Sequence, residues 1–105
     1  MQFRGGMNEI MRQAARMQRK IDEAKARLAD LETTGTALGD KVKVTVTYGR
    51  KLSRVEVDPA FLAEEGLDIV LDGICAAANA GLAEADRAVD AEIAKITGGA
   101  KLPGS

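Results

Sequence analysis

What this chain of 105 residues lacks narrows its chemistry first. It has no histidine, so the side chain that most often moves protons near neutral pH is missing. Its only serines are Ser53 and Ser105, and neither sits in a nucleophile elbow. No phosphate-binding loop or dinucleotide fingerprint occurs, and the pairs Gly5-Gly6 and Gly98-Gly99 read as hinges rather than phosphate cradles. The acidic groups Glu64-Glu65-Asp68 and Glu84-Asp86-Asp90 are better explained as solvated helix surface than as metal ligands. The expectation is a protein without catalysis, cofactor, metal or evident small-molecule substrate.

Other scarcities exclude further classes. Tryptophan is absent, and Phe3, Tyr48 and Phe61 are the only aromatics. That argues against recognition of single strands by base stacking, which needs aromatic platforms. The lone cysteine, Cys75, cannot form an intrachain disulfide, and it lies in the apolar stretch Ile74-Cys75-Ala76-Ala77-Ala78. It is expected to be a small buried residue in a reducing cytoplasm. The start of the chain carries no secretory pattern, and no stretch approaches the ~18 apolar residues of a membrane span. No membrane association is expected.

The length fits one domain, placed at residues 1–97, with 98–105 as a loop-like tail. A chain of this size removes only about two-thirds of its unfolded surface from water on folding, so dimerisation would add useful burial.

What is present is strongly periodic. Met7, Ile10, Ala14, Met17, Ile21, Ala24, Leu28 and Leu31 alternate spacings of three and four, a heptad seam that predicts a helix from about Met7 to Leu31. Gly5-Gly6 precedes it and Thr33-Thr34-Gly35 follows it. Val42, Val44, Val46 and Tyr48 then alternate with Lys41, Lys43, Thr45 and Thr47, the period of a strand. Gly49-Arg50 is a turn, and Lys51 to Asp58 returns with Val55 and Val57 on one face. With a weaker strand over Thr33–Ala37 before the Gly39-Asp40 turn, the result is a three-stranded antiparallel meander. Pro59–Glu65 reads as a turn or one helical turn broken by Gly66. A last helix runs from about Leu67 to Ile96, with a seam at Leu71, Cys75, Ala78, Leu82, Ala85, Val89, Ile93 and Ile96.

Lengths constrain the assembly. A helix of about 25 residues is roughly 37 Å long, and a strand of about seven residues is roughly 23 Å long. Both helices therefore overhang the sheet, and their seams continue into the overhang. An α+β fold follows: helix, meander, long helix, paired as a homodimer with a central sheet and projecting helical arms.

Net charge is only -1, but its distribution is uneven. Residues 1–27 hold seven cations against three acids, and residues 67–97 hold two cations against six acids. Either a surface faces a polyanion, or two oppositely charged helices attract each other. Arg12, Arg16, Arg19 and Lys20, at i, i+4, i+7 and i+8, share one helix face away from the seam. Arg27 also avoids the seam. Such a stripe suits phosphates, and an ordinary solvated helix face has the same composition. Lys41, Lys43, Lys51 and Arg54 extend it if they share a face. Nothing suggests readout of base edges by a helix-turn-helix or zinc finger. A second reading rests on the Met- and Ala-rich seam, whose adaptable side chains suit a coiled-coil module gripping a protein partner.

Gly5-Gly6-Met7 with Met11-Arg12-Gln13-Ala14 and Met17-Gln18, Val42-Lys43-Val44-Thr45-Val46, Arg54-Val55-Glu56-Val57-Asp58-Pro59, and Gly98-Gly99 through Leu102-Pro103-Gly104 together resemble the YbaB/EbfC family of nucleoid-associated proteins. The resemblance spans essentially the whole chain in order, and Ala15-Arg16 departs from it where more glutamine is usual. It implies a tweezer-like homodimer, binding to double-stranded DNA, location on the nucleoid in the cytoplasm and effects on gene expression. It carries over no catalytic residue. Of the basic stripe, only Arg12 falls within the family's motif; Arg16, Arg19 and Lys20 rest on the charge pattern.

Overall fold

A computed structural model describes residues 2–98, with side chains described from residue 6 onward. Helix α1 (Gln2–Leu28) leads into strands β1 (Glu32–Ala37), β2 (Val42–Thr47) and β3 (Leu52–Val57), then a short helix α2 (Pro59–Glu65) and the long helix α3 (Leu67–Thr97). This is the expected helix, meander and long helix. The sheet is antiparallel in the order β1-β2-β3. Of the tail expected at 98–105, all but Gly98 lies outside the described residues.

The sheet owes its place to β2. Val42, Val44 and Val46 are fully buried, while Lys43 is exposed and Thr45 and Thr47 are half-buried. One face therefore packs and the other meets water, as period-two alternation requires. Each buried valine contributes about 2 kcal/mol on leaving water. Gly35 of β1 and Val57 and Val55 of β3 stand opposite Val44, Val42 and Val44 respectively, so they share that face. Between Thr45 and Val46 the β2–β3 register shifts by one residue. Ser53 is the extra residue of this bulge, and its hydroxyl donates to Glu32 and to the Thr45 carbonyl.

Helix α3 crosses β1 and β2 but scarcely reaches β3. Its sheet-facing positions are Val70, Gly73, Ala77, Gly81 and Ala85. The seam expected at Leu71 and Cys75 is corrected here: both are exposed. The reason is proximity. A Cβ on Gly81 would stand 3.2 Å from the Gly35 nitrogen of β1 and from a Val46 methyl of β2, so α3 presses its smallest residues, not its largest, onto the sheet. The rest of that seam does turn inward: Ala85 is buried, and Ala78, Leu82, Val89, Ile93 and Ile96 are half-buried.

Helix α1 also departs from expectation at both ends. It starts at Gln2 and runs through Gly5-Gly6 without interruption. It stops at Leu28, because Leu31 has already left the helix and its carbonyl accepts from the Tyr48 amide at 2.8 Å. Leu31 is accordingly exposed.

The turn after β3 is well specified. Asp58 caps α2, its Oδ1 accepting from the amides of Ala60 at 2.9 Å and Phe61 at 3.4 Å. Pro59 occupies the first turn, where its missing N–H costs nothing. Gly66, at φ 90°, ends α2 and starts α3.

Candidate nucleic-acid interface

The direction of the two long helices creates the candidate surface. Gly73 of α3 lies beside Val42, Gly81 beside Val46, and Asp86 bonds Arg50 in the β2–β3 turn. So α3 runs parallel to β2 and continues past that turn. Helix α1 ends at the same turn, where the Ala29 carbonyl accepts from the Gly49 amide at 3.0 Å. The two helices therefore leave the same end of the sheet side by side and antiparallel.

They pack through the inner half of the α1 seam. Ile21, Ala24 and Leu28 are buried and Met17 is half-buried. Beyond Met17 the packing stops: every residue from Gly6 to Arg16 is exposed. Among the described residues, 6–16 thus form an arm of roughly 16 Å without tertiary packing. The molecule is 75 Å along its longest axis and 20 Å across the next.

The basic residues lie on this helix as the spacing required. At about 100° per residue, Arg12, Arg16, Arg19 and Lys20 fall within an arc of about 100°, centred about 120° from the buried seam. All four are exposed. Arg12 and Arg16 sit 3.7 and 3.8 Å from Glu9, contacts too long and too solvated to hold either guanidinium. Arg19 and Lys20 make no ion pair among the described residues. Arg27 lies in the same arc and is also exposed, lengthening the stripe to about 22 Å. Its membership follows from the 100° rotation once the helix is known to be continuous. Glu23 shares the arc and interrupts it.

The sheet does not extend this surface. Lys41 pairs with Asp58 at 3.4 Å, Arg54 with Glu56 at 3.3 Å, and Lys43 stands opposite Glu56 in the register. Cations and acids alternate there. A shallow open depression lined by Asp40, Lys41, Lys43, Glu56 and Asp58 is equally mixed in sign. The amides of Ala60 and Phe61 hold the Asp58 carboxyl below its ordinary range, with Lys41 assisting.

Helix α3 matches its cations internally. Arg87 bonds Glu84 at 2.6 Å, and Lys95 bonds Glu92 at 3.1 Å. Apart from Lys51 beside the β2–β3 turn, which makes no ion pair among the described residues, the surplus of cations lies on α1. Among the described residues no group of His, Cys, Asp or Glu is arranged to hold a metal ion. No helix there is long and apolar enough to cross a membrane.

The fold has a solved counterpart. An uncharacterized protein, HP0035 from Helicobacter pylori, superposes with a TM-score of 0.68 over 86% of this chain and 95% of that one, at 13% sequence identity. The sequence pattern of the YbaB/EbfC DNA-binding family matches residues 3–100. With that match over nearly the whole length, the chain belongs to the YbaB/EbfC DNA-binding family.

Proposed function

We propose that this protein binds double-stranded DNA as a homodimer, mainly through phosphates, on the nucleoid in the cytoplasm, with consequences for gene expression. The observation that carries the reading is the exposed cationic stripe on a projecting helix, offset only by the loose contacts of Glu9 and by Glu23, in a chain whose family is a DNA-binding one. Arg12, Arg16, Arg19 and Lys20 make the contacts, with Arg27 as an inner extension. Arginine and lysine on an exposed helix neutralise backbone charge without reading bases. The chain shows no helix-turn-helix or zinc-finger arrangement that would present these side chains to base edges, so little sequence preference is expected. The protein catalyses nothing in this reading.

Dimerisation is supported by uncovered apolar surface along β3 and at the start of α3. Leu52 and Val55 of β3 share the packing face of the sheet but lie beyond α3 and remain exposed. Leu67 and Leu71 of α3 are exposed as well, at 59% and 48%. A second copy covering this face gives the core its missing layer.

A titration of a duplex against salt tests the proposal. If a dimer neutralises about six phosphates, the logarithm of the binding constant falls with the logarithm of salt at a slope near -5. No binding at low salt, or binding indifferent to salt, sinks the reading. The competing reading, a clamp on a protein partner, draws on the exposed Met7, Ile10 and Met11 of the arm. Stoichiometric recovery of one protein after nuclease treatment would favour it.

A further inference from the structure

The basic stripe and the uncovered flank of the core point in different directions. Ala29, the residue after α1, marks the side of that flank. Its carbonyl accepts from the Gly49 amide at 3.0 Å, and a Cβ placed on Gly49 would lie 3.4 Å from its own. The turn at Gly49 leads into Leu52 and Val55 of β3, apolar residues left for a second copy to cover. At about 100° per residue, Ala29 lies about 110° to one side of the Ile21, Ala24 and Leu28 seam, and the centre of the stripe lies about 120° to the other. The stripe is therefore turned about 130° away from the flank. The face of α1 in line with Ala29 is a different surface. Ala15, Gln18, Asp22 and Lys25 are exposed there, one acid against one cation, and Gln18 bonds Asp22 at 3.0 Å.

We infer that one dimer holds two separate duplex segments, one on the outward stripe of each protomer, and so bridges DNA. This rests on the DNA-binding and dimer readings above. Any two-fold axis that joins two copies through the β3 flank reverses the direction of that flank between them. A stripe turned by more than a right angle from its own flank then faces outward on both copies. A duplex seated between the arms would meet the face of Gln18, Asp22 and Lys25, which has no surplus charge to offer phosphates. A duplex on either outer side meets Arg12, Arg16, Arg19 and Lys20 together. The two footprints share no residue, so the second duplex binds as readily as the first.

The test uses the native protein with a duplex just long enough to cover one stripe. Sedimentation of the complex at low salt counts duplexes per dimer, and a bead-bound duplex reports whether the protein captures a second, labelled one. The monomeric Leu71→Glu protein serves as the single-stripe reference. The expected result is a complex of one dimer with two duplexes, and capture of the labelled duplex. The monomer should bind the short duplex within about twofold of the native affinity per site, with the same salt slope, and capture nothing. One duplex per dimer, with a salt slope about twice the monomer's, overturns this inference alone, because both stripes would then grip one duplex. Native binding without capture also overturns it. If Leu71→Glu does not fold, the count and the capture on the native protein still decide. A native protein that sediments as a monomer overturns the dimer reading and this inference together. One that binds no duplex at low salt overturns the proposed function as a whole.

Discussion

Gly35 and Gly81 meet backbone to backbone where α3 crosses β1. A Cβ on Gly35 would lie 2.0 Å from the Ala77 carbonyl oxygen and 2.4 Å from the Gly81 nitrogen. Neither atom belongs to a side chain that can rotate away. Gly35→Ala should therefore lift α3 off the sheet and cost about 3 kcal/mol, at the upper end of overpacking penalties. A thermal or denaturant melt decides it, and a loss under about 1 kcal/mol would show that α3 slides without cost.

Gly6 behaves oppositely. It sits in the continuous helix of the arm with nothing within 4 Å of a Cβ placed there. Gly6→Ala should stabilise the local helix by about 1 kcal/mol. Because the arm makes no tertiary contact among the described residues, the melting temperature should hardly move. The gain appears instead as amide exchange about fivefold slower over residues 7–12. Unchanged exchange would mean that the arm is not helical there in solution.

The uncovered flank of the core is open to a direct trial. Leu71 is exposed in the single chain, so Leu71→Glu should leave each protomer folded. It should also set a charge into the apolar face proposed to receive a second copy, where an unpaired buried charge costs several kcal/mol. Sedimentation should then give half the native mass with the helical content retained. A native mass from the variant would move the interface away from Leu71.

Which parts of this architecture are legible in the sequence depends on which residues signal packing. Val42, Val44 and Val46 announce their strand because one face is dry and the other wet, and large apolar side chains mark the dry one. The α1 seam is legible for the same reason, and the basic stripe follows from it by rotation. The register of α3 on the sheet is not. Its contact face is built from Gly73, Ala77 and Gly81, and a pattern read by side-chain size slides to Leu71 and Cys75 instead. Gly5-Gly6 misleads in the other direction: two glycines suggest a break, yet each costs only about 1 kcal/mol in a helix that continues through them. The sheet cations Lys41 and Arg54 look like an extension of the basic surface until the register sets Asp58 and Glu56 beside them.

Asp58 gives the fold a dependence on pH with a definite sign. The amides of Ala60 and Phe61, with Lys41, lower its carboxyl pKa in the folded chain below the ordinary 3.8. A depressed acid stabilises the fold above its unfolded pKa. That contribution disappears as the pH falls through the folded value. Stability should therefore drop in acid below about pH 4, and part of the drop should vanish in Asp58→Asn, which keeps the capping oxygen without the charge. Identical acid profiles for the two proteins would assign the loss to other carboxylates.

The cationic stripe makes the most direct claim on function. Arg12, Arg16, Arg19 and Lys20 are exposed and are not held in strong ion pairs. Replacing all four with alanine should leave the melting temperature within a few degrees of native, since alanine is the better helix former and surface pairs contribute at most about 1 kcal/mol each. Duplex binding should weaken by orders of magnitude at low salt, and the slope against salt should shrink by nearly one for each phosphate that is no longer neutralised. Arg27→Ala alone should weaken binding less than Arg16→Ala, because Arg27 lies at the sheet end of the stripe, farthest from the projecting arm. Retained affinity with a native salt slope in the fourfold variant would show that DNA binds a different face. A fourfold variant that unfolds would show that these residues serve the structure rather than a partner.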